Sequence, residues 1–222
     1  MSECNVVRLP AAVHEPHLRE VNHRIANQLA QLSGYLELKA REVRVGPAAI
    51  PRDVAAELLR TISGRILGIG EVHRMLAEHA REQRVELGEF LLQFSSTMIG
   101  LLSLRDAVAV SYRLDGKCLV PQTVAHTMGL ILSELVMNAV KHAHPSGLRV
   151  GMDVICTCGL DQVLVEFSDD GVGLPENFDI CADGGSGFQI IRALADSIDA
   201  SLKIESDSLG LTFRLDIPVT PP

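Results

Sequence analysis

This 222-residue chain contains no tryptophan, and aromatics of all kinds make up only 4% of it. Its core must therefore be filled by Leu, Ile, Val and Ala, which suits packed helices better than a sandwich of sheets. Basic character is also scarce: 20 Lys and Arg stand against 28 Asp and Glu, for a formal net charge of -8 and a pI near 5.5. Nucleic acid and anionic membranes both recruit clustered Lys and Arg, so the charge balance predicts neither as a partner. Long apolar runs are missing too. The first 17 residues have no basic segment followed by an apolar one, as a secretory signal requires. The most apolar stretch, Met128 to Val140, is interrupted by Ser133, Glu134 and Asn138, well short of the roughly 20 apolar residues that span a bilayer. The cysteines, at 4, 118, 156, 158 and 181, are odd in number. Cys156 and Cys158 share a strand face, but no further His or Cys pair completes a zinc set, which predicts reduced, mostly buried thiols. Together these absences predict a cytoplasmic protein without a membrane segment.

What is present is a substantial apolar fraction, 47%, arranged in two styles. From Leu18 the residues Leu18, Val21, Ile25, Leu29, Leu32, Leu36, Ala40 and Val43 recur at steps of three and four, the mark of a long amphipathic helix with a coiled-coil-like seam. Gly46-Pro47 and Pro51 interrupt it. A second stripe follows at Ala55, Leu59, Ile62, Ile66, Ile69 and Met75/Leu76. The pair predicts an antiparallel helical hairpin, residues 14–83. One hairpin cannot bury both stripes, so a second copy completing a four-helix bundle is expected. After the charged stretch Glu78 to Glu86 the pattern changes. A helix over 87–102, a strand over 107–114, a helix over 121–143, strands over 148–156 and 163–167, a glycine-rich region, a helix over 189–197 and strands over 202–205 and 211–217 predict an α+β layer domain, residues 84–222.

Three places combine polar residues at chemically useful spacing. At 100° per residue, His23 lies about 140° from the centre of the first stripe and so faces solvent, with Glu20 and Asn27 on the same side. An exposed neutral imidazole is a competent nucleophile near neutral pH. Glu134, Asn138 and Lys141, at i, i+4 and i+7, line one face of the 121–143 helix. A carboxamide oxygen suits Mg²⁺, and a lysine neutralises phosphate charge. Asp169-Asp-Gly-Val-Gly places carboxylates before two glycines, Gly171 and Gly173, that let the backbone approach a ligand closely.

The strings around these residues resemble those of bacterial sensor histidine kinases of the HisKA_2 type. LREVNHRIANQL (18–29) is similar to that family's H-box, and ISGRILGIGEVHRMLAEHA (62–80) to its second helix; Ala26 stands where the family usually has Lys. LSELVMNAVKHA (132–143) resembles the N-box of the Bergerat ATPase fold shared with gyrase and Hsp90, FSDDGVGLP (167–175) its G1 box, GGSGFQII (184–191) its second Gly box with Phe188 in place of Leu, and LGLTF (209–213) its G-T-x-F close with Leu211 in place of Thr. The resemblance implies a dimerisation hairpin followed by an α/β-sandwich ATP-binding domain. It implies autophosphorylation of His23 with ATP and Mg²⁺, and transfer to an Asp of a response-regulator receiver domain. Asn138 is implied as the metal ligand. Glu134 orients water or the metal, and Lys141 and His142 meet phosphates. Asp169 accepts from the adenine amino group, a contact of roughly 1.5–3 kcal/mol, and Gly171, Gly173, Gly185, Gly187 and Phe188 line the nucleotide. Glu20 is the candidate acceptor of the imidazole proton, and His73 the alternative phosphoacceptor. The short segment between Pro175 and Gly184 is expected to order on nucleotide. A sensor is expected either on a separate protein or on further sequence of which this chain is a fragment. Two other functions fit the same architecture: a histidine phosphotransferase that does not use ATP, and an anti-sigma-type serine kinase.

Overall fold

The computed structural model of the protein describes residues 26, 29–30, 32–37, 39–41, 43–45, 50–78, 84–144, 147–175, 178 and 185–219. The chain divides into two compact units, residues 1–50 and 51–222. In the first, every described residue between 26 and 45 is helical. The seam residues Leu29, Leu36 and Val43 are 54%, 38% and 42% exposed, so this stripe meets water along its described length.

The second unit opens with α1 (Arg52–Glu78), α2 (Leu87–Leu101) and α3 (Gln122–His142), and ends with α4 (Ser186–Asp196). Along α1 the apolar stripe that one hairpin was expected to leave partly uncovered is only partly the buried row. Leu59 and Ile66 are 66% and 51% exposed, whereas Gly64, Arg65, Gly68, Glu71, Val72 and Met75 are buried. The reason is a close seam between α1 and α3. A Cβ on Gly68 would lie 2.4 Å from Ser133 Oγ, one on Gly64 3.0 Å from Met137 Sδ, and one on Gly129 2.8 Å from Val72 Cγ2. Each four-residue step along α1 is matched by a four-residue step back along α3, so the helices run antiparallel with their i±4 rows facing. Hydrophobic periodicity cannot reveal such a row, because glycine carries no apolar side chain. The division expected near residue 84 therefore falls inside this unit, with α1 on the side of the sheet.

Two sheets accompany the helices. β1 (Arg84–Glu86) and β3 (Leu119–Pro121) form a small antiparallel pair. The main sheet has five strands in the order β2-β4-β5-β7-β6: β2 (Val108–Asp115), β4 (Val150–Cys158), β5 (Gln162–Asp169), β7 (Gly210–Pro218) and β6 (Ser201–Asp207). Only β2 and β4 pair in parallel, because α3 supplies the crossover that parallel strands need. One core joins Phe90 and Phe94 of α2, Met128 and Ile131 of α3, Ile191 of α4, Val72 of α1, and Val154, Val165, Phe167 and Leu215 of the sheet. α3 is long and apolar enough to cross a membrane by length and composition, but 78% of its apolar window is buried in this core. It is the central helix of an α+β domain.

Candidate functional site at the end of the central helix

Along α3 the three polar residues pass from core to surface. Glu134 is 7% exposed, Asn138 is half-buried and Lys141 and His142 are exposed. Glu134 is held by Arg65 of α1 as a close ion pair: Nη2 donates to Oε2 at 2.9 Å, and Nε lies 2.7 Å from Oε1 without hydrogen-bond alignment. Burial pushes the Glu134 carboxyl above its ordinary range and Arg65 opposes that shift. One turn further on, Asn138 Nδ2 is buried and makes no hydrogen bond among the described residues. A buried amide in that state needs an explanation.

The loop after β5 is fixed by backbone from three elements. The Asp169 carboxylate accepts the amide of Gly171 at 2.9 Å and the amide of Leu211, its register partner on β7. Leu211 thus contributes through its backbone, so Leu in place of Thr leaves this contact intact. Burial nevertheless pushes the Asp169 carboxyl above the usual value; the two amides pull it down, Asp170 adds to the rise, and His144 opposes it. Asp170 is committed elsewhere: its Oδ1 meets His144 Nε2 at 2.9 Å and accepts the Gly151 amide at 2.9 Å. Of the two adjacent carboxylates, only Asp169 sits inside the loop. Val172 N donates to Ala143 O at 3.0 Å and Leu174 N to Ser206 Oγ at 2.7 Å, tying the loop to the end of α3 and to β6. Gly173, at φ 68°, would place a Cβ 2.1 Å from Asp207 O. Gly210, at φ 143°, would place one 1.8 Å from Asp169 O. No side chain fits at either position.

The second glycine-rich segment reaches the same place. α4 begins at Ser186, three residues earlier than the sequence pattern suggests, with Gly185 at its N-cap. Gly187 and Phe188 therefore belong to its first turn. A Cβ on Gly187 would lie 3.2 Å from both Asn138 Nδ2 and Asn138 Oδ1, and 3.6 Å from Glu134 Oε2. The first turn of α4 thus rests on the two polar residues of α3. Phe188 turns the other way: its ring packs 5.9 Å from that of the core residue Phe213 and 6.2 Å from that of Phe178. Its place is that of an anchor between α4 and the sheet, which is why Phe is accommodated where Leu was expected.

Glu134, Asn138 and Gly187 thus converge, with the Asp169 loop pinned to the end of the same helix. His23 and Glu20 lie outside the described residues, as does the segment 175–184 apart from Pro175 and Phe178. His73 is half-buried, its ring 4.9 Å from that of His126. Cys118 and Cys156 are buried free thiols, Cys158 is an exposed one, and no group of three or more His, Cys, Asp or Glu able to hold a metal occurs among the described residues. A depression of about 760 Å³ takes no residue from α3 or α4, but Asp169, Asp170, Ser206, Asp207 and Gly210 line it, so it adjoins the Asp169 loop from the side of the sheet. Sequence reasoning missed Arg65 and Ser206, and had Gly210 only as the glycine of the G-T-x-F close. Its tight packing was within reach, since a lone Gly at the start of a strand signals close backbone approach. Nothing in the spacing pointed to Arg65.

Comparison with known proteins agrees with this geometry. A family model described as histidine kinase (HisKA_2) matches residues 20–102. A second, described as histidine kinase-, DNA gyrase B- and HSP90-like ATPase, matches residues 123–221. The chain is 29% identical over 206 residues to blue-light-activated histidine kinase 2 of Erythrobacter litoralis, covering 91% of this chain and 57% of that protein. It is 27% identical over 205 residues to the sensor histidine kinase PdtaS of Mycobacterium tuberculosis, covering 91% and 39%. The chain thus spans about half the length of the curated relatives it matches. Among solved structures, an Erythrobacter litoralis blue-light activated histidine kinase superposes with a TM-score of 0.69 at 25% identity, over 94% of this chain and 61% of that one. With both parts matched in order along nearly the whole chain, this protein belongs to the histidine kinases, as a core of the HisKA_2 type carrying its ATP-binding domain.

Proposed function

We propose that this chain binds ATP between α3, the Asp169 loop and the first turn of α4, phosphorylates itself on His23, and passes the phosphoryl group to an Asp of a response-regulator receiver domain. The observation that carries the reading is the seat of Gly187 on Asn138 and Glu134, which joins the two phosphate-side motifs beside a pinned Asp169 loop. Asp169 accepts from the adenine amino group with the carboxylate that its two backbone amides orient. The small first turn of α4 presents backbone N–H groups toward phosphate. Lys141 and His142, at the exposed end of α3, add positive charge there. Mg²⁺, when bound, would supply charge neutralisation on the phosphates, and the Asn138 carboxamide oxygen is the donor that would hold it. Glu134 orients the attacking or metal-bound groups, and Glu20 takes the imidazole proton. Phosphoryl transfer needs placement and charge neutralisation more than covalent help from the protein, and this division of labour supplies both. The exposed stripes at Leu29, Leu36 and Val43, and at Leu59 and Ile66, support a homodimer. A sensor supplied by another protein or by further sequence would set the activity.

One observation favours a second reading, a phosphotransferase that does not use ATP: Glu134 is already occupied by Arg65. Incubation with γ-labelled ATP and Mg²⁺ separates the two. Acid-labile label on the wild type that is absent from His23→Gln and Asn138→Ala is the expected result. Label retained by His23→Gln transfers the acceptor role to another residue, with His73 the first to test.

A further inference from the structure

The ion pair between Arg65 and Glu134 joins a helix that carries none of the ATPase motifs to the carboxylate at their centre. One hydrogen bond, Nη2 to Oε2 at 2.9 Å, and an ion-pair approach of Nε to Oε1 at 2.7 Å join the two, and each side chain is 9% exposed. An Arg guanidinium is planar and takes both carboxylate oxygens at once, a geometry that lysine cannot reproduce. The pair closes only because the helices approach to the distance set by Gly64 and Gly68 on one side and Gly129 on the other. The Oε2 held by Arg65 is the same atom that lies next to Gly187 at the start of α4, so the captured oxygen belongs to the cleft. Asn138, one turn away, has no such partner for its Nδ2 among the described residues. One of the two polar residues of α3 is left open and the other is covered.

We propose that Arg65 is a positioning residue that gates Glu134: with α1 docked along α3 the carboxylate is held by the guanidinium, and loosening that seam returns it to the nucleotide cleft. The gate rests on the kinase reading and adds to it a means of control. Any event that shifts α1, whether a partner, a second copy or a signal arriving through the first helix, changes the availability of Glu134 without touching a nucleotide-binding residue. While the pair is closed, Oε2 is engaged by Nη2 and Oε1 lies against Nε; when it opens, the carboxylate keeps its place on α3 and regains the lone pairs turned to Arg65.

The test uses the full chain and initial rates of labelling from γ-labelled ATP across ATP concentration and pH. Arg65→Met is expected to raise the rate at saturating ATP by about tenfold while leaving the KM for ATP within about twofold, because the gain lies in the transfer step and not in binding. Arg65→Lys should fall between, since one ammonium holds one oxygen. The acid limb of the pH profile should also move up in Arg65→Met, because a cation that pulled the carboxyl down has been removed and burial then acts unopposed. A purely structural role for Arg65 would not move that limb. Gly68→Ala, which keeps Arg65 but forces the seam apart, should raise the rate as well, and it carries the test alone if Arg65→Met does not fold. Label on the wild type with no rise in either variant overturns the gate and leaves the kinase reading standing. No label on any of the three overturns the kinase reading, and the gate falls with it.

Discussion

Two regions of this protein depend on glycine for opposite reasons. In the α1–α3 seam, Gly64, Gly68 and Gly129 are ordinary helical residues whose missing side chains let two helices approach, and what a Cβ would meet is a side-chain atom of Met137, Ser133 or Val72. In the loop after β5 and at the start of β7 beside it, Gly173 and Gly210 have positive φ, and what a Cβ would meet is backbone, the carbonyls of Asp207 and Asp169. A seam of the first kind can be adjusted from the other side. A loop of the second kind cannot, because no substitution removes a carbonyl. Under the proposed function the contrast would also separate roles: the rigid loop would shape the nucleotide site, and the seam would admit movement.

The comparison can be broken in several ways. The largest effect should come from Gly210→Ala, which combines backbone strain with a clash and should lower stability by about 2–4 kcal/mol in urea denaturation; no second substitution in contact with it should recover the loss. Gly68→Ala should cost about 1–3 kcal/mol, and adding Ser133→Ala, which removes the obstructing Oγ, should restore at least about half of that. Equal failure of both rescues would erase the distinction drawn here.

Within the loop, Asp169→Asn should weaken ATP binding by about 10- to 100-fold, the loss of one charge-assisted hydrogen bond. Its pH dependence has two signs. The folded carboxyl titrates above its ordinary value because it is buried, so ATP affinity should fall as pH drops through that raised value, earlier than for an exposed Asp. Folding responds in reverse. The native state prefers the protonated form, so this group's contribution to stability is present below the ordinary carboxyl value and is lost as pH rises through the folded one. Calorimetry and urea midpoints measured across the same pH range should show these opposed trends, and Asp169→Asn should flatten both. The smallest effect is expected of Phe188→Leu, which removes ring contacts with Phe213 and Phe178 for about 1 kcal/mol and leaves ATP affinity nearly unchanged. A large drop in affinity would place that ring against nucleotide instead of against the sheet.

Much of this was legible in the sequence, and the rest was hidden for identifiable reasons. The helices and strands of the sheet domain followed from hydrophobic period and the glycine punctuation, with ends shifted by a few residues; α4 gained the turn holding Gly187 and Phe188 because a glycine-rich start conceals a helical turn. β1 and β3 are three residues each, too short to show alternation. β1 runs straight into α2, whose N-cap is Glu86, accepting from Gly88 and Glu89, an unusual cap that reads as part of a charged stretch. The convergence of Glu134, Asn138 and the Asp169 loop was visible as residue types at telling spacing. Arg65 was not: it lies far from Glu134 in sequence, and the row that brings it there consists of residues without side chains. The stripe of α1 was read as apolar and as more than one hairpin could bury, and Leu59 and Ile66 are indeed exposed in the single chain.

The central claim is that this chain holds adenine nucleotide by Asp169 and Asn138 at the end of α3, and calorimetric titration of the wild-type protein with ATP and with GTP in the presence of Mg²⁺ tests it most directly. Saturable heat with ATP, its absence with GTP, and its loss in Asp169→Asn and Asn138→Ala are the expected results. No heat with millimolar ATP, or equal binding of GTP, would contradict the account.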